Sequence, residues 1–253
     1  MTLPARAPGR PGFARAALTV ARREIASMLR TPTGWLLGAG FAAFAGLVFV
    51  GTTLAPGEPA SLRTFFVAGS WLMVVLAPAI SMRTLSDEIR SGSAELLATS
   101  PASDAAIVLG KYLGAVGVLL LMLLPTLAMP IALWLIASPA PDVGPILAGY
   151  AGLVLAGMCY LAVGLCASAL TSSQTLAFLS SFLLLIAWVF VTGDLASRGP
   201  DWAASLGDAM SVSRRIRDFA RGLVVLEHGA FFLGIALWFV VAAGAITEAR
   251  RWR

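Results

Sequence analysis

The stretch Ala105-AIVLGKYLGAVGVLLLMLLPTLAMPIALWLI-Ala137 decides the fold: a single charge, Lys111, stands among 33 residues. About 20 helical residues cross a hydrocarbon core roughly 30 Å thick. This run is therefore longer than one crossing requires, and it is expected to tilt or to kink at Pro125 and Pro130. Five further apolar runs lie around it, at about 34–54, 65–82, 145–170, 174–192 and 229–247. Only Thr171–Ser173 separate the fourth span from the fifth, which makes that pair a tight antiparallel hairpin. The expected fold class is an all-α polytopic membrane protein with six transmembrane helices.

Composition points the same way. Apolar residues make up 58% of the chain and charged residues 12%, against about 25% charged in soluble domains, and mean hydropathy is +0.86. A water-soluble fold of this size would lack the polar surface to cover itself. The net charge of +5 does not indicate nucleic acid. All but one of the 18 basic residues are arginines, nearly all flanking apolar runs, which is the distribution that anionic lipid headgroups and topology select. Membrane lipid is thus an expected partner and nucleic acid is not. Cys159 and Cys166 stand seven apart in one run, about 10 Å of helical rise, too far for a disulfide.

Residues 1–12, rich in Pro, Gly and Arg, read as a disordered basic tail, leaving 13–253 as the membrane domain. Over 14–30, Leu18, Ala21, Ile25, Met28 and Leu29 share one side of a helical wheel, and Arg15, Arg22, Arg23 and Arg30 the other. That is the pattern of a basic helix lying in the membrane interface. The polar lead is long and the apolar run after it long enough to span, so an uncleaved first helix is expected rather than a signal peptide. With both termini cytoplasmic, twelve basic residues fall inside and six outside, as the positive-inside rule favours. This topology puts the basic 195–227 loop outside. There Val212, Ile216, Phe219, Leu223 and Leu226 make an apolar stripe, with Arg214, Arg217, Asp218 and Arg221 facing away. The stripe reads either as an interfacial or re-entrant helix or as a short cap that anchors the sixth span.

Several chemistries lack their parts. A phosphate-binding loop needs Gly-Lys-Ser/Thr, but Lys111 is followed by Tyr112 and Ala105 stands where the upstream glycine belongs. One histidine, His228, cannot supply a His-Glu-x-x-His zinc site, and there is no Gly-x-Ser-x-Gly nucleophile elbow. No catalytic, cofactor-binding or metal-ligating residue is assigned. The third, fourth and sixth spans carry no charge in their interiors, Asp104 and Lys111 lying near the inner end of the third, so a proton relay has no visible components. Any uphill transport must draw its energy from another subunit.

The loop 83–104 interleaves Arg83, Asp87, Glu88, Arg90, Glu95 and Asp104 with Leu85, Ile89, Leu96 and Leu97. Ser86 is placed to cap a short helix whose N-terminal dipole favours Asp87 and Glu88. Gly92 breaks that helix, and Pro101 marks the turn into the next span. The segment reads as a handle for another protein or as a solvated loop.

From Pro78 to Tyr112, the elements Met82-Arg83, Asp87-Glu88-x-Arg90-Ser91-Gly92, Glu95-Leu96-Leu97, Ser100-Pro101 and Leu109-Gly110-Lys111-Tyr112 closely resemble ABC-2-type permeases. Within these the chain looks like the gliding-motility and nitrous-oxide-reductase-maturation branch. Phe219-Ala-Arg-Gly222 and the terminal Arg250-Arg251-Trp252-Arg253 are similar to that branch's ending. The resemblance implies a six-helix subunit with cytoplasmic termini in a bacterial inner membrane, paired with a second permease copy or paralogue. It also implies an interfacial helix before the first span and a coupling helix that docks on a separate ATP-binding-cassette ATPase. By position, Arg83, Asp87, Glu88, Arg90, Ser91, Gly92 and Glu95 match the ATPase-coupling loop. Ile216, Phe219, Arg221, Gly222 and Leu223 match the outer re-entrant helix. ATP and magnesium are reached only through the partner ATPase, with no cofactor bound by this chain. The expected function is an export permease. The alternatives are a membrane anchor coupling an ATPase to an envelope or motility complex, with a periplasmic partner, and an integral membrane enzyme.

Overall fold

The computed structural model describes residues 12–54, 60–91, 103–138, 140–195 and 200–251. The amphipathic helix α1 spans Phe13–Arg30, and Pro32, fixed in the first turn of the next helix, opens α2, Pro32–Val48, which a π-turn extends to Thr53. There follow α3, Arg63–Ser81, and the short α4, Ser86–Ser91. Next come α5, Asp104–Leu123, and α6, Ala128–Ile136, joined by a 3-10 turn at Leu124–Leu127. The remaining elements are α7, Val143–Leu170, α8, Gln174–Phe190, α9, Asp201–Met210, α10, Val212–Ala220, and α11, Leu226–Arg251. Among the described residues there is no strand.

Six segments are long and apolar enough to cross a membrane: Pro32–Thr53, Arg63–Arg90, Asp104–Ile136, Val143–Leu170, Gln174–Gly193 and Leu226–Arg250. They match the six runs read from sequence, and the chain is a multi-pass membrane protein. The α5–α6 segment changes from α to 3-10 geometry at Leu124–Leu127, the turn that contains Pro125. Pro130 lies within α6. It sits in the first turn of α6, where its missing N–H has no intrahelical partner to lose.

Helices α3 and α7 form the centre. Met73, Ala77, Leu153, Ala156, Cys159 and Leu161 are fully buried, and α3 and α7 touch so closely that a Cβ on Gly164 would lie 1.9 Å from Ser81 Oγ. Helices α2, α8 and α11 lie outside and turn Leu36, Leu47, Leu183, Leu237 and Trp238 outward, as lipid-facing surfaces do. Both cysteines are unpaired, as their spacing requires.

Helix α1 divides its expected apolar side between protein contact and open surface. Ala16, Ala17 and Ala21 are buried, Ile25 and Met28 half-buried, and Leu18 and Leu29 exposed. Its face meets glycines of α5, where small side chains allow close approach and large ones would not.

The 195–227 segment also corrects expectation. Its described residues hold two helices, α9 and α10, and of the expected stripe Val212, Ile216 and Phe219 are buried, joined by Ala220 and Arg215. Phe219 packs into α7 at Gly152, where a Cβ would lie 2.8 Å from the Phe219 Cβ. Leu223 and Leu226 are exposed because α10 ends at Ala220, with Arg221 as an exposed C-cap. Gly222 then takes φ 87°. The Gly222 N–H donates to Phe219 O at 2.9 Å and the Leu223 N–H to Asp218 O at 3.0 Å, the paired bonds that close a helix at a left-handed glycine. Asp218, expected to face away, is half-buried and lies 3.1 Å from His228 Nε2 at the start of α11.

Candidate coupling site

Helix α4 has six residues, too few to be stable alone. Its seat is made by its neighbours. Asp87 and Glu88 occupy its first turn, as their dipole preference predicts. Ser86 does not cap it, since its hydroxyl donates back to Met82 O. The cap comes from Ser168 near the end of α7, whose Oγ accepts from Leu85 N at 3.1 Å and Ser86 N at 2.9 Å and donates to Met82 O at 3.2 Å. That uses the full capacity of the hydroxyl, in a buried position.

Each carboxylate of α4 is engaged. Asp87 accepts from the side-chain amide of Gln174 at the start of α8. Glu88 Oε1 lies 2.8 Å from Lys111 Nζ on α5, and Glu24 Oε2 on α1 lies 3.8 Å from the same nitrogen. Lys111, only 6% exposed at its side chain, also donates to the Thr84 carbonyl. Arg83 donates to Thr33 Oγ1 at the start of α2, 3.1 Å away. Arg90 is exposed. These groups line a cavity of 270 Å³, with Arg23, Glu24, Arg83, Asp87, Glu88 and Lys111 around it. Burial raises the Glu24 carboxyl above the ordinary glutamate range. Lys111 and Arg23 lower it, and Glu88 and Asp87 raise it further.

The structure thus brings Arg83, Asp87 and Glu88 to the wall of one cavity and leaves Arg90 at the surface. The Ser91 backbone ends α4, and Gly92 and Glu95 lie outside the described residues. Lys111, Glu24, Ser168, Gln174 and Thr33 were not assigned to this site from sequence. Only Lys111 carried a signal, as the sole lysine within an apolar run.

At the opposite end, Arg215 is the residue sequence counting passed over. Its guanidinium is buried and sits 3.6 Å from the centroid of the Phe231 ring. It donates to Ser211 O at 3.1 Å and Ala209 O at 2.7 Å, joining α9, α10 and α11. Burial lowers its pKa from the ordinary arginine value.

A bundle of six spans, with a charged polar station where α1, α4 and α5 meet, defines a multi-pass membrane component. The ABC-2 family transporter protein profile matches residues 18–203, from α1 into α9. The chain belongs to that family, and is a permease component of an ABC transporter. No curated protein sequence matches the chain.

Proposed function

We propose that this chain is an export permease driven by ATP hydrolysed on a separate ATP-binding-cassette subunit, and that the segment from Arg83 through Glu95 is where that subunit acts. One observation carries the reading. A helix of six residues, unable to persist alone, is fastened to α5, α7 and α8 by side chains from each, and Lys111 of α5 in turn faces Glu24 of α1. A merely solvated loop has no use for such anchoring, whereas a force-receiving element requires it.

The reading extends to topology and lineage. The arginine count supports placing the α4 end in the cytoplasm of a bacterial inner membrane, with both termini there. The motifs around Glu88 and Gly222 support the gliding-motility and nitrous-oxide-reductase-maturation branch, and a second permease copy or paralogue completes the membrane unit. On this topology Ile216, Phe219, Arg221, Gly222 and Leu223 belong to the outer re-entrant element and its cap.

The test is a gentle-detergent pull-down of the tagged chain from its native cell, with ATP turnover assayed on the eluate. Co-elution of a P-loop subunit with vanadate-sensitive turnover, lost in Arg90→Glu, is expected. A chain that elutes without an ATPase, under conditions that preserve a control complex, overturns the proposal.

A further inference from the structure

Lys111 is the only lysine of the chain, and it faces two carboxylates from two different elements. Glu88 on α4 is in direct contact at 2.8 Å, while Glu24 on α1 stands back at 3.8 Å. The two holders differ in how firmly they are fixed. Helix α1 lies on a glycine track of α5: a Cβ on Gly110 would lie 2.6 Å from Ala17 O, and one on Gly114 2.6 Å from Glu24 Cβ. Glu24 is therefore set in place by backbone contact. Helix α4 is short, and its contacts among the described residues include polar ones to Ser168, Gln174 and Lys111. Of the two carboxylates that face Lys111 beside the Thr84 carbonyl, the one on the element that can leave is Glu88.

A buried ammonium left without a counter-charge is strongly destabilising. If α4 were displaced with no replacement for Glu88, the desolvated Lys111 would oppose the movement. A second carboxylate within reach, on an element that stays, removes that barrier.

We propose that Lys111 is a positioning residue with two alternative acceptors: Glu88 when α4 is seated, and Glu24 when α4 is drawn away. The hand-over lets α4 swing without stranding the buried cation, and it keeps α5 tied to α1 throughout. The proposal rests on the coupling reading only for the source of the force, which is the ATPase.

The hand-over predicts opposite effects from two substitutions of like size. Glu88→Gln weakens the seated state, so the backbone amides of 84–90 should exchange hydrogen faster, on the order of tenfold, in the full chain in nanodiscs. Glu24→Gln weakens the displaced state more than the seated one, so the same amides should exchange severalfold more slowly. In a Lys111→Met background, Glu24→Gln should no longer affect α4. A static three-way clamp makes the contrary prediction, that Glu24→Gln speeds exchange as Glu88→Gln does. That result, or no change in either variant, overturns the hand-over. Pull-down of the ATPase from cells carrying each variant separates the two ideas. Absent asymmetry with intact ATPase capture removes the hand-over alone, and intact asymmetry without capture by the wild type removes the coupling reading alone.

Discussion

Replacing Gly110 by alanine should unseat α1 while leaving α5 intact. An added Cβ would lie 2.6 Å from Ala17 O and 2.7 Å from Val20 Cβ, both close to the α1 backbone. Ordinary heavy-atom contact is about 3.5–4.0 Å, so α1 must retreat by about 1 Å. Overpacking of this kind costs about 1–3 kcal/mol, which is roughly 5- to 150-fold in a local opening equilibrium. The retreat also takes Glu24 from 3.8 Å to beyond the reach of Lys111. An opposing effect works within α5 itself, where alanine favours the helix over glycine by up to about 1 kcal/mol. The global melting temperature therefore mixes two effects of opposite sign and is the wrong readout. Hydrogen exchange at amides 17–25 in nanodiscs isolates the α1 contribution, and should accelerate in Gly110→Ala. Gly117→Ala is the internal comparison. There the Cβ would meet Ile25 Cδ1 at 2.5 Å, the far end of a flexible side chain that can turn aside. If Gly117→Ala loosens α1 as much as Gly110→Ala, or if Gly110→Ala leaves α1 fully protected, the docking reasoning fails.

Ser168→Ala strips the cap from α4 and leaves the Leu85 and Ser86 N–H groups unsatisfied, at about 1–3 kcal/mol. The amides of 85–90 should exchange faster, with α7 upstream of residue 165 unchanged. Gly222→Ala places a side chain at φ 87°, at about 1–2 kcal/mol, and should open the 221–226 turn to limited proteolysis. The burial-raised carboxyl of Glu24 gives a pH dependence of definite sign. A carboxyl that is more easily protonated in the folded state stabilises fully below its unfolded pKa, and loses that contribution as pH rises through the window up to its folded value. Exchange of α1 amides, corrected for intrinsic rate, should therefore slow as pH falls through that window, and Glu24→Gln should abolish the trend.

Six spans were legible because each is an uninterrupted apolar run, and a bilayer tolerates few exceptions. The first two turns of α10 were equally legible, since Val212, Ile216 and Phe219 repeat at helical spacing. The continuation to Leu223 and Leu226 failed because Gly222 closes the helix, a signal that apolar periodicity alone does not weigh. The line of α1 that meets α5 was not legible: Val20, Glu24 and Ile25 lie over the glycines at 110, 114 and 117, and that pairing of two helices leaves no mark in either one's own periodicity. The site itself was half visible. Asp87 and Glu88 stood out as a charged pair in a short loop, but their partners Gln174 and Lys111 lie 87 and 23 positions away, and no local pattern links them.

The two ends of the bundle are fastened by different physics, and the difference bears on what each can do. At the α10 end, Val212, Ile216 and Phe219 are buried to 2% exposure or less, and displacing them would expose apolar surface at about 25 cal/mol per Å². At the α4 end, Ser168, Gln174 and Lys111 hold the helix by directional contacts, which water or a second carboxylate can replace at small net cost. On the coupling proposal, the first end, which adds this apolar burial to the Arg215 hydrogen bonds, stays, and the second exchanges partners. Between them α7 passes close to both α3 and α5, since a Cβ on Gly164 would lie 1.9 Å from Ser81 Oγ of α3 and one on Gly157 2.4 Å from Leu119 Cδ2 of α5. Densely packed helices transmit displacement rather than absorb it. A pull on α4 through Ser168 is therefore delivered along α7, and α7 is the helix whose other end, at Gly152, carries Phe219 of α10.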